Sequence, residues 1–196
     1  MNNERMQKQF EFLQEIDKEK NVFRQTYLAD GNRKENDAEH SWHLAMMAML
    51  MAEHSNEKID VLHTMSMVLI HDLIEIDAGD TYAYDTEGNK TKKERELKAA
   101  DRIFNILPKD QADKLRALWD EFEDGVTPEA KFANSLDKLQ PLMLNNASGG
   151  KSWAEHEVYA AQVYGRNAKT ADGSRDMWEY ADENFVKPNI GKALKE

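Results

Sequence analysis

Helix-capping signals recur along this chain at intervals that leave little room for any other element. Residues 4–19 are amphipathic at helical spacing. Asn36 or Asp37 is placed to cap a helix running through HSWHLAMMAMLMAEH to about His54, and Glu39, three after Asn36, completes a capping box. Asp60 caps the next helix, which carries VLHTMSMVLIHDLIEI. Thr91 with Glu94 opens another that ends near Pro108, and a further helix over 110–124 stops at Gly125. Thr127 followed by Pro128 supplies an N-cap and a proline at the first helical position. That helix holds AKFANSLDKLQPLMLN, with a kink expected at Pro141. Ser152 and Glu155 box the start of a helix over 153–167, and Ser174 starts the last one. No stretch alternates with period two and no repeat is present. The expectation is an all-α, single-domain helical bundle over 1–196, with 77–90 as its longest loop.

At 196 residues, 40% hydrophobic and 32% charged, the chain has material for one sizeable core. No apolar run approaches the roughly 20 residues a membrane span needs. The opening MNNERMQKQFEFLQEID is too polar and mixed in charge for a signal peptide. With no cysteine, disulfides, thiolate metal sites and cysteine nucleophiles are excluded, which fits a reducing, cytoplasmic setting. The net charge is −11 and Lys and Arg are scattered, so binding to a nucleic-acid backbone is not expected. An anionic substrate would need a local cation, either a small Arg/Lys cluster or a metal.

The stretch from Ile70 to Asp80, IHDLIEIDAGD, raises that question directly. It follows an apolar run with a histidine and then four acids, Asp72, Glu75, Asp77 and Asp80. Charges on an apolar helix are costly unless paired, hydrogen-bonded or metal-bound. Glu75, four after His71 and three after Asp72, shares a helix side with both. Asp77 and Asp80 follow toward the C-terminal end, where carboxylates are disfavoured, and Gly79 reads as a left-handed terminator. No basic residue occurs from His71 through Glu87, so a bound divalent ion is the economical counter-charge. Imidazole and carboxylate donors suit Mn, Fe, Co, Ni or Zn, whereas an all-oxygen site would suit Mg.

From the residues alone, His71-Asp72 reads equally as a metal site or as a hydrogen-bonded core pair. His54, His63 and His156 read as core or surface residues, and the methionines as core filler. Asp137 interrupts an otherwise apolar helix pattern and is followed by Lys138, so it is either a ligand or half of a surface pair.

With these residues in view, the sequence resembles the HD-domain metal-dependent phosphohydrolases, whose pattern is H…HD…D over several helices. Within them it resembles most the 5′-deoxynucleotidase branch. That branch carries E-N-x-x-E-H-S, here ENDAEHS, then H-D-x-x-E-x-x-x-G-D, here HDLIEIDAGD, and later an Asp in a helix rich in alanine and leucine. The resemblance covers about residues 20–145, with C-terminal helices over 152–190 matching loosely. It implies that His40, His71, Asp72 and Asp137 ligate one divalent metal. Glu75 and Asp80 fall on its non-ligand acids, implied to activate water and to protonate the leaving oxygen. His43, a turn after His40, is then a supporting or core residue, and Asp77 has no counterpart. Arg33 matches a basic residue just ahead of the first block and Arg24 lies near a second. The resemblance implies that both bind phosphate, which the two-pronged guanidinium suits, and the alternative for each is a surface salt bridge. The branch's tryptophan near FRQTYL has no equivalent; the nearest aromatic here is Tyr27.

The function this implies is metal-assisted hydrolysis of a phosphomonoester, foremost a (deoxy)nucleoside 5′-monophosphate. The alternatives are another phosphorylated metabolite, a nucleoside triphosphate or a cyclic nucleotide, a non-catalytic metal- or nucleotide-binding regulator, or a plain interaction module. The resemblance also implies a homodimer. Trp153 and Trp178 serve equally as interface or as core.

Overall fold

The computed structural model describes residues 3–82 and 89–196. Its N-terminal helix α1 (Asn3–Ile16) runs into a short 3₁₀ turn, and a small antiparallel hairpin follows, β1 (Phe23–Tyr27) and β2 (Lys34–Asn36). Phe23 pairs with Asn36 and Tyr27 with Lys34, so the longer span of β1 bulges between these pairs. The fold is helical, as expected, and the small hairpin is an addition to it. Its strands do alternate, but the buried positions are Arg24, Thr26 and Glu35. An inward face made of polar residues gives no hydrophobic period to read.

Helix α2 (Asp37–Met51) starts as expected: Asn36 accepts the Glu39 amide at 2.9 Å and the Glu39 carboxylate reaches back to the Asn36 amide. Helix α3 (Val61–Val68) is capped by Asp60, which accepts the His63 amide at 3.1 Å. The helix expected to continue through Ile76 stops there. Val68 carbonyl oxygen, which in an unbroken helix would accept the Asp72 amide, accepts His71 Nδ1–H at 2.8 Å. The chain passes through tight turns to a one-turn helix, α4 (Glu75–Ala78). Gly79 has φ 75° and ψ 147°, a region essentially confined to glycine, rather than the left-handed helical conformation expected. Of the expected 77–90 loop, residues 83–88 lie outside the described residues.

Helices α5 (Asn89–Phe104) and α6 (Lys109–Asp124) follow, and Gly125 ends α6 in the left-handed conformation. The central helix is α7 (Pro128–Ala147), which runs through Pro141. It packs against α2, α3 and α6, and Phe132 and Leu136 are fully buried with Leu44, Ala48, Met67 and Val68. Burying each such large side chain contributes about 1.5–3 kcal/mol. Beyond α7, Gly150 rather than Ser152 precedes α8 (Lys151–Glu155), and a break with Glu157 at φ 52° separates it from α9 (Ala160–Arg166). Helix α10 (Arg175–Ala181) begins at Ser174 as expected. Trp153 is buried, and Trp178 packs into the same C-terminal core edge-on to Tyr164. Thr127 caps α7 by accepting the Ala130 amide at 3.2 Å. Thr127→Ala is therefore expected to cost about 1 kcal/mol, seen as a fall of roughly 2–4 °C in the thermal unfolding midpoint.

Candidate metal centre

Three separate parts of the chain deliver the acid-base residues to one buried place. Helix α2 brings His40, the turns after α3 bring His71 and Asp72, and α7 brings Asp137. His40 Nε2 lies 3.1 Å from Asp137 Oδ1 and 3.9 Å from Asp72 Oδ2. His71 Nε2 lies 3.0 Å from Asp72 Oδ2 and 3.9 Å from Asp137 Oδ1. Donor atoms bound to one ion at about 2.1 Å sit roughly 3.0–3.4 Å apart; two of these spacings fall in or near that window and two are 3.9 Å. His40, His71 and Asp72 form a compact trio whose donor atoms lie within 4.8 Å of one another, and Asp137 stands against both imidazoles.

Both imidazoles are held so that Nε2 faces inward. His71 Nδ1 donates to the Val68 carbonyl, and its Nε2, though buried, makes no hydrogen bond. His40 Nδ1 faces Gln140 Oε1 at 3.1 Å. The Gln140 amide nitrogen donates to Glu35 at 2.7 Å and to His43 Nδ1 at 3.3 Å, which fixes its oxygen toward His40 and so sets the His40 tautomer. Gln140, fully buried one turn after Asp137 on α7, was not foreseen. Its spacing from Asp137 was the available signal.

Beside the histidines stands a second group of acids, Asp37, Asp72 and Glu75, all buried. Arg24, buried on β1, places Nη1 2.7 Å from Asp72 and 3.2 Å from Asp37, with Nη2 3.9 Å from Asp137. IHDLIEIDAGD has no base beside it in sequence; the fold brings Arg24 to Asp72 from β1 and Arg102 to Asp77 from α5. Burial and then the repulsion of Asp72 push the Asp37 carboxyl up to about 7, against Arg24. Burial, then Asp72, Asp37 and Asp80, raise Glu75 well above the usual carboxylate range, and Glu75 Oε2 has no hydrogen-bond partner. Burial opposes the charged form of His71, but Asp72 and Asp137 outweigh it and raise its pKa. Burial likewise works against the ionised Asp137, and the two imidazoles beside it, His40 at hydrogen-bond distance and His71 at 3.9 Å, overcome it and hold this carboxyl well below its usual range.

Asp80 lines a cleft with Arg24, on the far side of Gly79 from Glu75. Its pKa is raised by burial, with Arg24 opposing. Arg33 is not brought to this cluster. It is half exposed and makes a two-pronged pair with Glu39 at 2.8 and 2.5 Å. Asp77 ties α4 to the rest of the molecule through Arg102, which also binds Glu15 at 2.7 Å. His63 pairs with Glu121 at 2.8 Å, and His156 stacks on Tyr82 with ring centres 4.4 Å apart.

The sequence pattern of the HD domain family matches residues 16–178, a span that takes in every residue of this cluster. The chain belongs to the HD domain family. Its HD-domain fold is shared with a crystal structure described as a predicted metal-dependent phosphohydrolase from Magnetospirillum magnetotacticum MS-1, 44% identical, with a TM-score of 0.92 over 98% of this chain and 96% of that one. The 5′-deoxynucleotidase HDDC2 of Homo sapiens is 30% identical over 111 residues, 57% of this chain and 53% of that protein. The Bos taurus protein of the same name is 29% identical over 135 residues, 68% of this chain and 64% of that one. The human match thus spans about half the relative's length. Among the described residues, no helix of this HD-domain chain is long and apolar enough to cross a membrane.

Proposed function

We propose that this chain is a metal-dependent phosphohydrolase that releases phosphate from (deoxy)nucleoside 5′-monophosphates. The observation that carries the reading is the convergence of His40 Nε2, His71 Nε2, Asp72 and Asp137, with Asp72 shared with a second buried group, Asp37 and Glu75; the proposal assigns Glu75 to proton transfer and not to the ligand set. The orphaned His71 Nε2 and the two imidazole and two carboxylate donors fit one divalent ion, with Mn, Fe, Co, Ni and Zn favoured over Mg by the nitrogen donors. When bound, such an ion polarises a phosphoryl oxygen and makes water a nucleophile near neutral pH. Glu75, its proton affinity raised by burial and neighbouring acids, accepts a proton from the attacking water. Asp80, in the adjoining cleft, returns one to the leaving sugar oxygen. Arg24 fixes Asp72 and Asp37 and offsets their charge; the pairing leaves it as an organiser of the cluster as well as a phosphate contact. The names of the human and bovine relatives supply the nucleotide part of the reading.

A phosphate-release screen of ribo- and deoxyribonucleoside mono- and triphosphates against Mn, Co, Zn and Mg tests it. Release from monophosphates with one of these ions is the expected result, and release from none of them would sink the reading. Gln140→Leu removes the acceptor that orients His40 and is expected to weaken metal binding roughly 10- to 100-fold in a competition titration with a chelating dye. The homodimer belongs to the same proposal and is tested by sedimentation. The apolar side chains Met6, Phe10 and Leu13, exposed on α1, are better placed to be covered than the buried Trp153.

A further inference from the structure

We propose that Lys138 and Arg166 form the anion clamp of this site, holding the phosphoryl oxygens of the substrate in the cleft that Arg24 also lines. The inference rests on the hydrolase reading for what the anion is, but on separate residues for where it sits. A cleft opens beside the acid cluster between β1, the Asp80 segment and helices α7, α8 and α9, and Arg24, Asp80, Lys138 and Arg166 all line it. Arg24 is engaged with Asp72 and Asp37, and Arg33 with Glu39. Lys138 and Arg166, by contrast, make no ion pair or side-chain hydrogen bond among the described residues. The carboxylate next to Lys138, that of Asp137, is turned to His40 and His71.

The electrostatics favour such a pair. A phosphomonoester brings up to two negative charges to a site already holding Asp37, Asp72, Glu75, Asp80 and Asp137, in a chain of net charge −11. Arg24 is engaged with these acids, and Lys92, which also acts on them, is paired with Glu96 at 3.3 Å. Lys138 and Arg166 add two cations, without ion-pair partners among the described residues, to the cleft that the anion enters. A second observation points to a ligand in the same cleft. Asn145 lines it and is 5% exposed; its amide nitrogen donates to the Pro141 carbonyl at 2.9 Å, and its Oδ1 is buried with no hydrogen-bond partner. An orphaned acceptor there calls for a donor, which a sugar hydroxyl supplies and a phosphate dianion does not.

The test is calorimetric titration of inorganic phosphate into metal-loaded protein, with metal content measured in every variant. Lys138→Gln and Arg166→Gln are each expected to weaken phosphate binding about tenfold or more at unchanged metal content, and Arg166→Lys to recover part of it. If substitution beside Asp137 disturbs the metal, Arg166→Gln, on a separate helix, carries the test alone. Unchanged phosphate affinity in metal-loaded Arg166→Gln overturns the clamp, and if the wild type still turns over phosphomonoesters, the hydrolase reading stands without it. Weakened phosphate binding in a protein that hydrolyses no phosphomonoester has the opposite meaning: the clamp stands and the hydrolase reading falls. Asn145→Ala is expected to raise KM for a nucleoside monophosphate while leaving inhibition by inorganic phosphate unchanged. A parallel change in both would show that Asn145 does not contact the sugar.

Discussion

His71→Ala is expected to lose the bound metal and to lower kcat/KM by roughly 10³-fold or more. The ion's stabilisation of developing charge is worth several kcal/mol, and each 1.36 kcal/mol is tenfold in rate. His71 is the sharpest place to make the cut. Its Nδ1 is committed to the Val68 carbonyl, so the ring cannot turn to present the other nitrogen, and its Nε2 is buried without a hydrogen bond. Removing it leaves His40, Asp72 and Asp137, with carboxylates less well balanced by nitrogen donors. The ring also packs edge-on against Phe122, centres 4.9 Å apart, so alanine leaves a cavity as well. The two consequences separate by melting each protein with and without added metal. Wild type should gain about 2.7 kcal/mol at a free metal concentration 100 times its Kd, and the variant should gain almost nothing, whatever its baseline. A variant that kept stoichiometric metal and full turnover would remove His71 from the centre.

Much of the fold can be read in local chemistry. The caps at Asn36, Asp60, Thr127 and Ser174 and the stop at Gly125 are decided by hydrogen bonds within a few residues, and the structure forms each of them. The departures come where distant contacts decide. The hairpin was invisible because its inward residues, Arg24 and Glu35, are buried for the sake of the site and not for apolar packing. The helix after Asp60 breaks because a histidine side chain competes for a backbone carbonyl, which no propensity scale weighs. Ser152 and Glu155 have the spacing of a capping box, but Gly150, at φ 73° and within 2.1 Å of Ala193 if it bore a Cβ, sets the start of that helix instead.

The cluster was legible to a different degree at each residue. His40, His71, Asp72 and Asp137 stand in a pattern whose family resemblance pointed to one place, and the fold brings their donor atoms within 4 Å of at least one partner. Arg24 and Arg33 looked alike as arginines near the first block. What separates them is their place in the hairpin: Arg24 is an inward position of β1, whereas Arg33 lies in the connection before β2 and pairs at the surface with Glu39. Gln140 and Asn145 carry no charge and no motif. Their importance follows from what surrounds them, a Glu35-His40-His43 contact in one case and an unmet acceptor in the other.

Glu75→Gln separates chemistry from metal binding. Glutamine keeps the size of a side chain that is 5% exposed and removes its capacity to accept a proton. Metal content and KM are expected to stay near wild type, while kcat falls about 10²- to 10⁴-fold, the range of a lost general base. Relief of repulsion from Asp72 and Asp37 should make the variant at least as stable as wild type in the absence of metal, because the raised proton affinity of Glu75 is the mark of a charge the site resists. Asp80→Asn should behave differently toward the leaving group. With a nucleoside monophosphate, whose alkoxide is a poor leaving group, its kcat should fall; with p-nitrophenyl phosphate, which departs without protonation, it should be nearly spared. Glu75→Gln should be slow on both esters, since the attacking water is the same. Equal loss on both esters in Asp80→Asn would assign Asp80 to binding or to the water, and full activity in Glu75→Gln would move the base elsewhere in the cluster, to Asp37 first, the neighbouring acid whose carboxyl is also pushed up to about 7, chiefly by burial and by Asp72.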